Sequence, residues 1–143
     1  MDSSLPLLNS GVFKELGWEG YSFSAPLLIV SDTFNTEYMG RKKPDYVMLQ
    51  SVFTHMTPGD IITCLSSIAG ILKVGSAVFA TYFRSEIPQN LQCVSHPHVN
   101  FGYTEEEMAE HGKKANLRMG YIGNWKHPRN QVMVRYSLEK DSE

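Results

Sequence analysis

Three short clusters in this sequence combine residue types and spacings that suit chemistry: Asp32-Thr33-Phe34, Gln50-Ser51, and His55 four residues beyond the serine. A carboxylate accepts a hydrogen bond from an exocyclic amine and a phenyl ring packs on a base, so residues 32–34 suit a nucleobase. They also read as a turn with Phe34 in the core, because aspartate commonly follows strands. His55 is a candidate general base, since histidine titrates unperturbed near neutral pH; its other reading is a loop histidine ahead of a helix starting at Thr57. Cys93, His96 and His98, with His127 as a fourth, carry zinc-type ligand atoms, but Cys-x2-His-x-His is a weak ligand spacing. No metal is assigned, and a metal-binding protein stays as a third reading. Glu107 and His111, one helical turn apart, read as a solvated pair, and Arg41-Lys42-Lys43 as an exposed loop. Neither GxGxG nor GxxxxGK occurs, so the 143 residues hold no glycine-rich phosphate or dinucleotide turn.

Positioning these residues falls to elements that the apolar pattern marks. Residues 5–16 place Leu5, Leu8, Val12, Phe13 and Leu16 near helical period, with Asp2 to Ser4 as caps and Gly17 as a stop. The run APLLIVS at 25–31 predicts a strand buried on both faces, and YVML at 46–49 a second buried strand. Thr57 as cap and Pro58 at the first helical position open a helix carrying Ile61, Leu65, Ile68, Ala69 and Leu72. AVFATYF at 77–83 predicts a third strand, residues 84–102 a long loop, and Thr104 with Glu107 a capping box opening a helix to about Ala115. Residues 119–125 and 131–138 alternate around His127-Pro128-Arg129-Asn130, as in an antiparallel hairpin. Strands alternating with helices predict an α/β fold with a mostly parallel sheet and a C-terminal antiparallel hairpin at one edge. In such sheets ligands bind beyond the carboxyl ends of the strands, where Asp32 and Gln50-Ser51 fall.

Composition narrows the partners. With 15 acidic and 13 basic residues the net charge is −2, which argues against a nucleic-acid or acidic-membrane partner. At 42% apolar residues, a chain of this length can bury a core without staples. No apolar run is long enough to span a bilayer and no basic-then-apolar start marks a secretory signal. Two cysteines 29 apart, Cys64 and Cys93, read as reduced thiols of a cytoplasmic protein.

Residues 45–55, DYVMLQSVFTH, strongly resemble the fourth motif of class I S-adenosylmethionine-dependent methyltransferases in the form FDxVxxxSVFTHL. Ile71-Leu72-Lys73-Val74-Gly75 looks like the family's vLkpGG turn into its fifth strand, and Trp125-Lys126-His127-Pro128-Arg129-Asn130-Gln131 like its W-x-HPRGQ turn. The resemblance implies a Rossmann-like three-layer sandwich, S-adenosylmethionine as cofactor, and methyl transfer to a nucleophile on a small molecule or glycan. It further implies that Asp32 contacts the adenine with Thr33 and Phe34 beside it. Asp2 then holds the ribose hydroxyls, Gln50 and Ser51 face the methionyl part, and His55 lies on the acceptor side, which the 84–102 loop shapes.

Departures from the pattern set further expectations. The family's first strand, glycine-rich turn, first helix and most of its second strand would precede Asp2. In that register residues 1–143 are a single methyltransferase-like domain truncated by one βαβ unit, which takes about 30 residues. A catalytically inactive scaffold or partner subunit is therefore the alternative function. The family's sheet order 3-2-1-4-5-7-6 would leave a gap beside residues 45–50. Either the strand at 25–31 slides in, or a second copy fills the edge and makes a homodimer.

Overall fold

Val47 and Leu49 alternate with Tyr46 and Met48 in β1 (Tyr46–Leu49), the first strand of a sheet in which one helical layer decides what is buried. The computed structural model describes residues 33–89, 94–96 and 98–138. The chain divides into two units, 1–35 and 36–143, and the architecture below is that of the second. The helix expected at 5–16 and the strand at 25–31 lie outside the described residues, as does the pairing expected between 25–31 and 45–50.

After β1 a 3-10 turn (Phe53–His55) leads into α1 (Pro58–Ala69), then β2 (Ala77–Arg84), the short β3 (Gly102–Tyr103), α2 (Glu105–Lys114), β4 (Leu117–Asn124) and β5 (Val132–Leu138). The strand order is β1-β2-β5-β4, with β3 pairing the last two residues of β2. β1 and β3 run parallel to β2, whereas β5 runs antiparallel to β2 and to β4. Among the described residues the sheet is thus mixed, with two parallel and two antiparallel pairings. The hairpin does not merely edge the sheet; its second strand inserts beside β2 and half of the pairings become antiparallel.

Residues paired across strands share a face. Val78, Ala80 and Tyr82 of β2 therefore line up with Tyr136, Val134 and Val132 of β5, all buried. α2 covers this face: the Tyr136 hydroxyl donates to the Met108 carbonyl at 3.0 Å, and α1 packs on α2. Gly112 lets α2 come this close, since a Cβ there would stand 2.6 Å from the Tyr136 ring. On the other face Tyr46 is 75% and Met48 48% exposed. β1 is therefore not the fully buried strand its apolar run suggests, because α1 and α2 cover only the face of Val47 and Leu49. The described residues make two layers, sheet and helices; a third layer is not among them.

Local signals place the helices. The Thr57 side chain accepts from the Asp60 amide with Pro58 at the first turn, and Thr104 with Glu107 forms the complete capping box. The Lys73-Val74-Gly75-Ser76 turn has Val74 and Ser76 where the vLkpGG pattern has Pro and a second Gly, and the buried Ser76 hydroxyl donates to the Pro44 carbonyl at 2.6 Å, fastening the start of β2 to that of β1. All three residues of the basic triplet are exposed, and Lys43 donates to the Leu72 carbonyl at 3.1 Å. Cys64 is a free, buried thiol whose burial pushes its pKa up to about 12. Among the described residues no helix is long and apolar enough to cross a membrane.

Candidate active site

β1 ends at Leu49, and the chain reverses through exposed Gln50 into Ser51, which sits in the left-handed region at φ 57°. Each polar group of Ser51 is engaged. Its amide donates to the Thr81 hydroxyl at 2.8 Å, its hydroxyl donates to the Gln131 side-chain oxygen at 3.0 Å, and its carbonyl accepts from the Thr54 hydroxyl at 2.8 Å. Thr81 in turn donates to the same Gln131 oxygen at 2.7 Å. Gln131 is brought there by the turn between β4 and β5. His127 stacks on Trp125 at 5.1 Å, the Arg129 guanidinium lies 5.7 Å from the centre of the Phe83 ring, and Asn130 takes a positive φ. Thr81 and Gln131 are buried, and the Gln131 Nε2 group has no hydrogen-bond partner among the described residues.

His55, half-buried, closes the 3-10 turn that follows Ser51. Its Nδ1 lies 2.8 Å from the Val99 carbonyl. A carbonyl only accepts, so Nδ1 donates, and whenever the ring is neutral its lone pair is at Nε2. The loop after β2 is strapped onto this turn: the amides of His96 and Phe101 donate to the His55 and Thr54 carbonyls at 3.1 and 2.9 Å. Ser95 adds a third tie, accepting from the Thr57 amide at 2.7 Å and donating to the Asp60 carboxylate.

No family model matches the chain, and no curated protein matches it. Solved structures do. TnmH superposes with a TM-score of 0.69 at 16% identity, over 96% of this chain and 41% of its own. An S-adenosylmethionine-dependent methyltransferase from Clostridium acetobutylicum ATCC 824 gives 0.63 at 10% identity, over 96% and 73%. The mitomycin 7-O-methyltransferase MmcR gives 0.62 at 17% identity, over 87% and 39%. The fold is that of S-adenosylmethionine-dependent methyltransferases. The observed order β1-β2-β5-β4 reproduces the 4-5-7-6 half of that fold's sheet. The chain spans about two-fifths of the length of TnmH and of MmcR.

Of the residues expected in the site, the structure brings Gln50, Ser51 and His55 together within one loop at the carboxyl end of β1. Thr33, exposed, and Phe34, half-buried, belong to the unit ending at Asn35. Asp2 and Asp32 lie outside the described residues, as does Cys93. The His96 and His98 rings stand 5.4 Å apart, and among the described residues no group of three or more His, Cys, Asp or Glu side chains could hold a metal ion. Glu107 and His111 are not a solvated pair. Glu107 accepts from the Thr104 amide at 2.8 Å in the capping box, while His111 is buried edge-on against Tyr103.

Thr81 and Gln131 were not singled out by sequence reasoning. Gln131 lies inside the HPRNQ turn, and Thr81 is the one aliphatic hydroxyl in an otherwise apolar and aromatic run, the signals that could have marked them. The loop's donor set suits part of the cofactor of this fold. Ser51 spends its hydroxyl proton on Gln131, so its oxygen keeps lone pairs for a cationic group such as an α-ammonium. Gln50 adds an exposed amide.

Proposed function

We propose that this chain belongs to a class I, SVFTHL-type methyltransferase domain that transfers a methyl group from S-adenosylmethionine to a nucleophile on a small molecule or glycan. The observation that carries the reading is the His55 ring, held through Nδ1 by Val99 with Nε2 left for a substrate proton, four residues from Ser51. MmcR, which shares the fold, is named for methylating an oxygen of mitomycin, a small molecule.

When bound, the cofactor would supply an electrophilic methyl group on a sulfonium. Gln50 and Ser51 would hold its amino-acid end. The chain's remaining task is placement, because an in-line displacement gains most of its rate from orientation. His55 Nε2 would accept the proton of the acceptor nucleophile, and the Val99 carbonyl would steady the imidazolium that forms, a contribution of roughly 10²–10⁴-fold.

Calorimetric titration of the folded chain with S-adenosylmethionine tests the reading. Saturable binding supports it; a folded chain that evolves no heat overturns it in favour of the inactive scaffold or partner subunit. With binding established, His55→Gln should leave the Kd within about twofold and abolish transfer of labelled methyl to a pool of small hydroxylated acceptors. Unchanged transfer would remove His55 from the chemistry.

A further inference from the structure

Four non-glycine residues among those described take positive φ: Ser51, Asn116, Lys126 and Asn130. Two are asparagines, whose short amide tolerates the left-handed region. Local bonds hold all three apart from Ser51. Asn116 and Asn130 donate their amides to the carbonyls of Lys113 and His127, three residues back, and the Lys126 amide donates to the Asn124 side chain. Ser51 differs in kind. It has no amide side chain to ease the conformation, and its amide and hydroxyl are caught by residues 30 and 80 positions away.

We infer that Thr81 and Gln131 are positioning residues that lock Ser51 in the left-handed conformation, and that the β4–β5 hairpin thereby sets the shape of the cofactor-facing turn. The register makes the device possible. Met133 of β5 is opposite Thr81 of β2, so Gln131 lies two residues back on the same sheet face. From there one oxygen receives two hydroxyl protons, while Thr81 receives the Ser51 amide. The directions are mutually consistent: Thr81 accepts once and donates once, and Ser51 donates twice. Burial of Thr81 and Gln131 removes competing water and strengthens each bond. A turn that carried only itself would need none of this. One that must hold an oxygen toward a cation gains from a fixed backbone. This last step rests on the methyltransferase reading; the lock itself does not.

Two readouts separate the claims. In the first, amide exchange of Ser51 is followed by NMR on the chain without cofactor. Thr81→Val should speed it roughly tenfold and Gln131→Leu roughly three- to tenfold, while Thr81→Ser, which keeps the hydroxyl, should stay within about twofold of the parent. Unchanged Ser51 exchange in both Thr81→Val and Gln131→Leu overturns the lock, as does loss of protection in Thr81→Ser. In the second, the Kd for S-adenosylmethionine is measured. Gln131→Leu should weaken it roughly three- to tenfold, and the effect should vanish in a Ser51→Gly background, where glycine adopts the conformation unaided. An equal loss in that background assigns Gln131 a packing role and overturns the inference. If Thr81→Val does not fold, Thr81→Ser and Ser51→Gly still decide it. Absence of binding by the parent chain would defeat the methyltransferase reading and leave the exchange result to judge the lock.

Discussion

Thr57 and Thr104 occupy equivalent places at the starts of α1 and α2, and each accepts a hydrogen bond from the amide three residues on. Around Thr104 the network ends there, closed by Glu107 of the same turn. Around Thr57 it continues into Ser95 of a distant loop, and nearby Ser51 and His55 are fixed by Thr81, Gln131 and Val99. The α2–hairpin region is stabilised by its own sequence and by apolar packing. The β1–α1 loop is held by polar groups from three other segments. In the β1–α1 loop the geometry is imposed from outside, and in the α2–hairpin region it is built from within.

Removing a large core side chain should break that contrast from the stable side. Tyr136→Ala empties a fully buried site between β5 and α2 and should cost about 3–5 kcal/mol in urea unfolding. A loss below about 1 kcal/mol would mean that the packing does not carry the region. Cap deletions test the two helix starts directly. Thr57→Ala and Thr104→Ala should each lose about 1 kcal/mol. Only Thr57→Ala should also speed exchange of the His96 amide, because Ser95 is released with the cap; identical exchange maps would erase the difference between the regions. A smaller effect comes from His111. Burial holds its pKa below the ordinary 6.5, outweighing Glu107 and Glu110, which pull the other way, with Lys114 lowering it further. Depressed in the folded state, this group contributes stability above 6.5 that is lost as pH falls through the folded value. Unfolding free energies measured at about pH 8 and about pH 5 should diverge less in His111→Phe than in the parent chain.

Legibility in the sequence follows the same line. α2 could be read because Thr104 and Glu107 are three residues apart, and the hairpin because its alternation flanks a proline turn. β3 could not, since Gly102 and Tyr103 are too few to show a period and are strands only because Phe83 and Arg84 pair with them. YVML looked wholly buried because apolar type does not say which faces will be covered. Ser51 and His55 were visible through the DYVMLQSVFTH resemblance, but what orients them was not. The partners of Ser51 lie 30 and 80 residues off, and nothing local couples a threonine in an apolar strand to a glutamine after a turn.

The Ser85 amide donates to the Tyr103 carbonyl at 2.8 Å, pinching the chain shut on either side of residues 86–102. A loop clamped at its neck tolerates insertion cheaply, about 0.6 kcal/mol for each doubling of length. The sheet would not register a change above the clamp as long as Gln89, Ser95 and Val99 keep their ties. Length can thus be revised there without renegotiating how the chain folds.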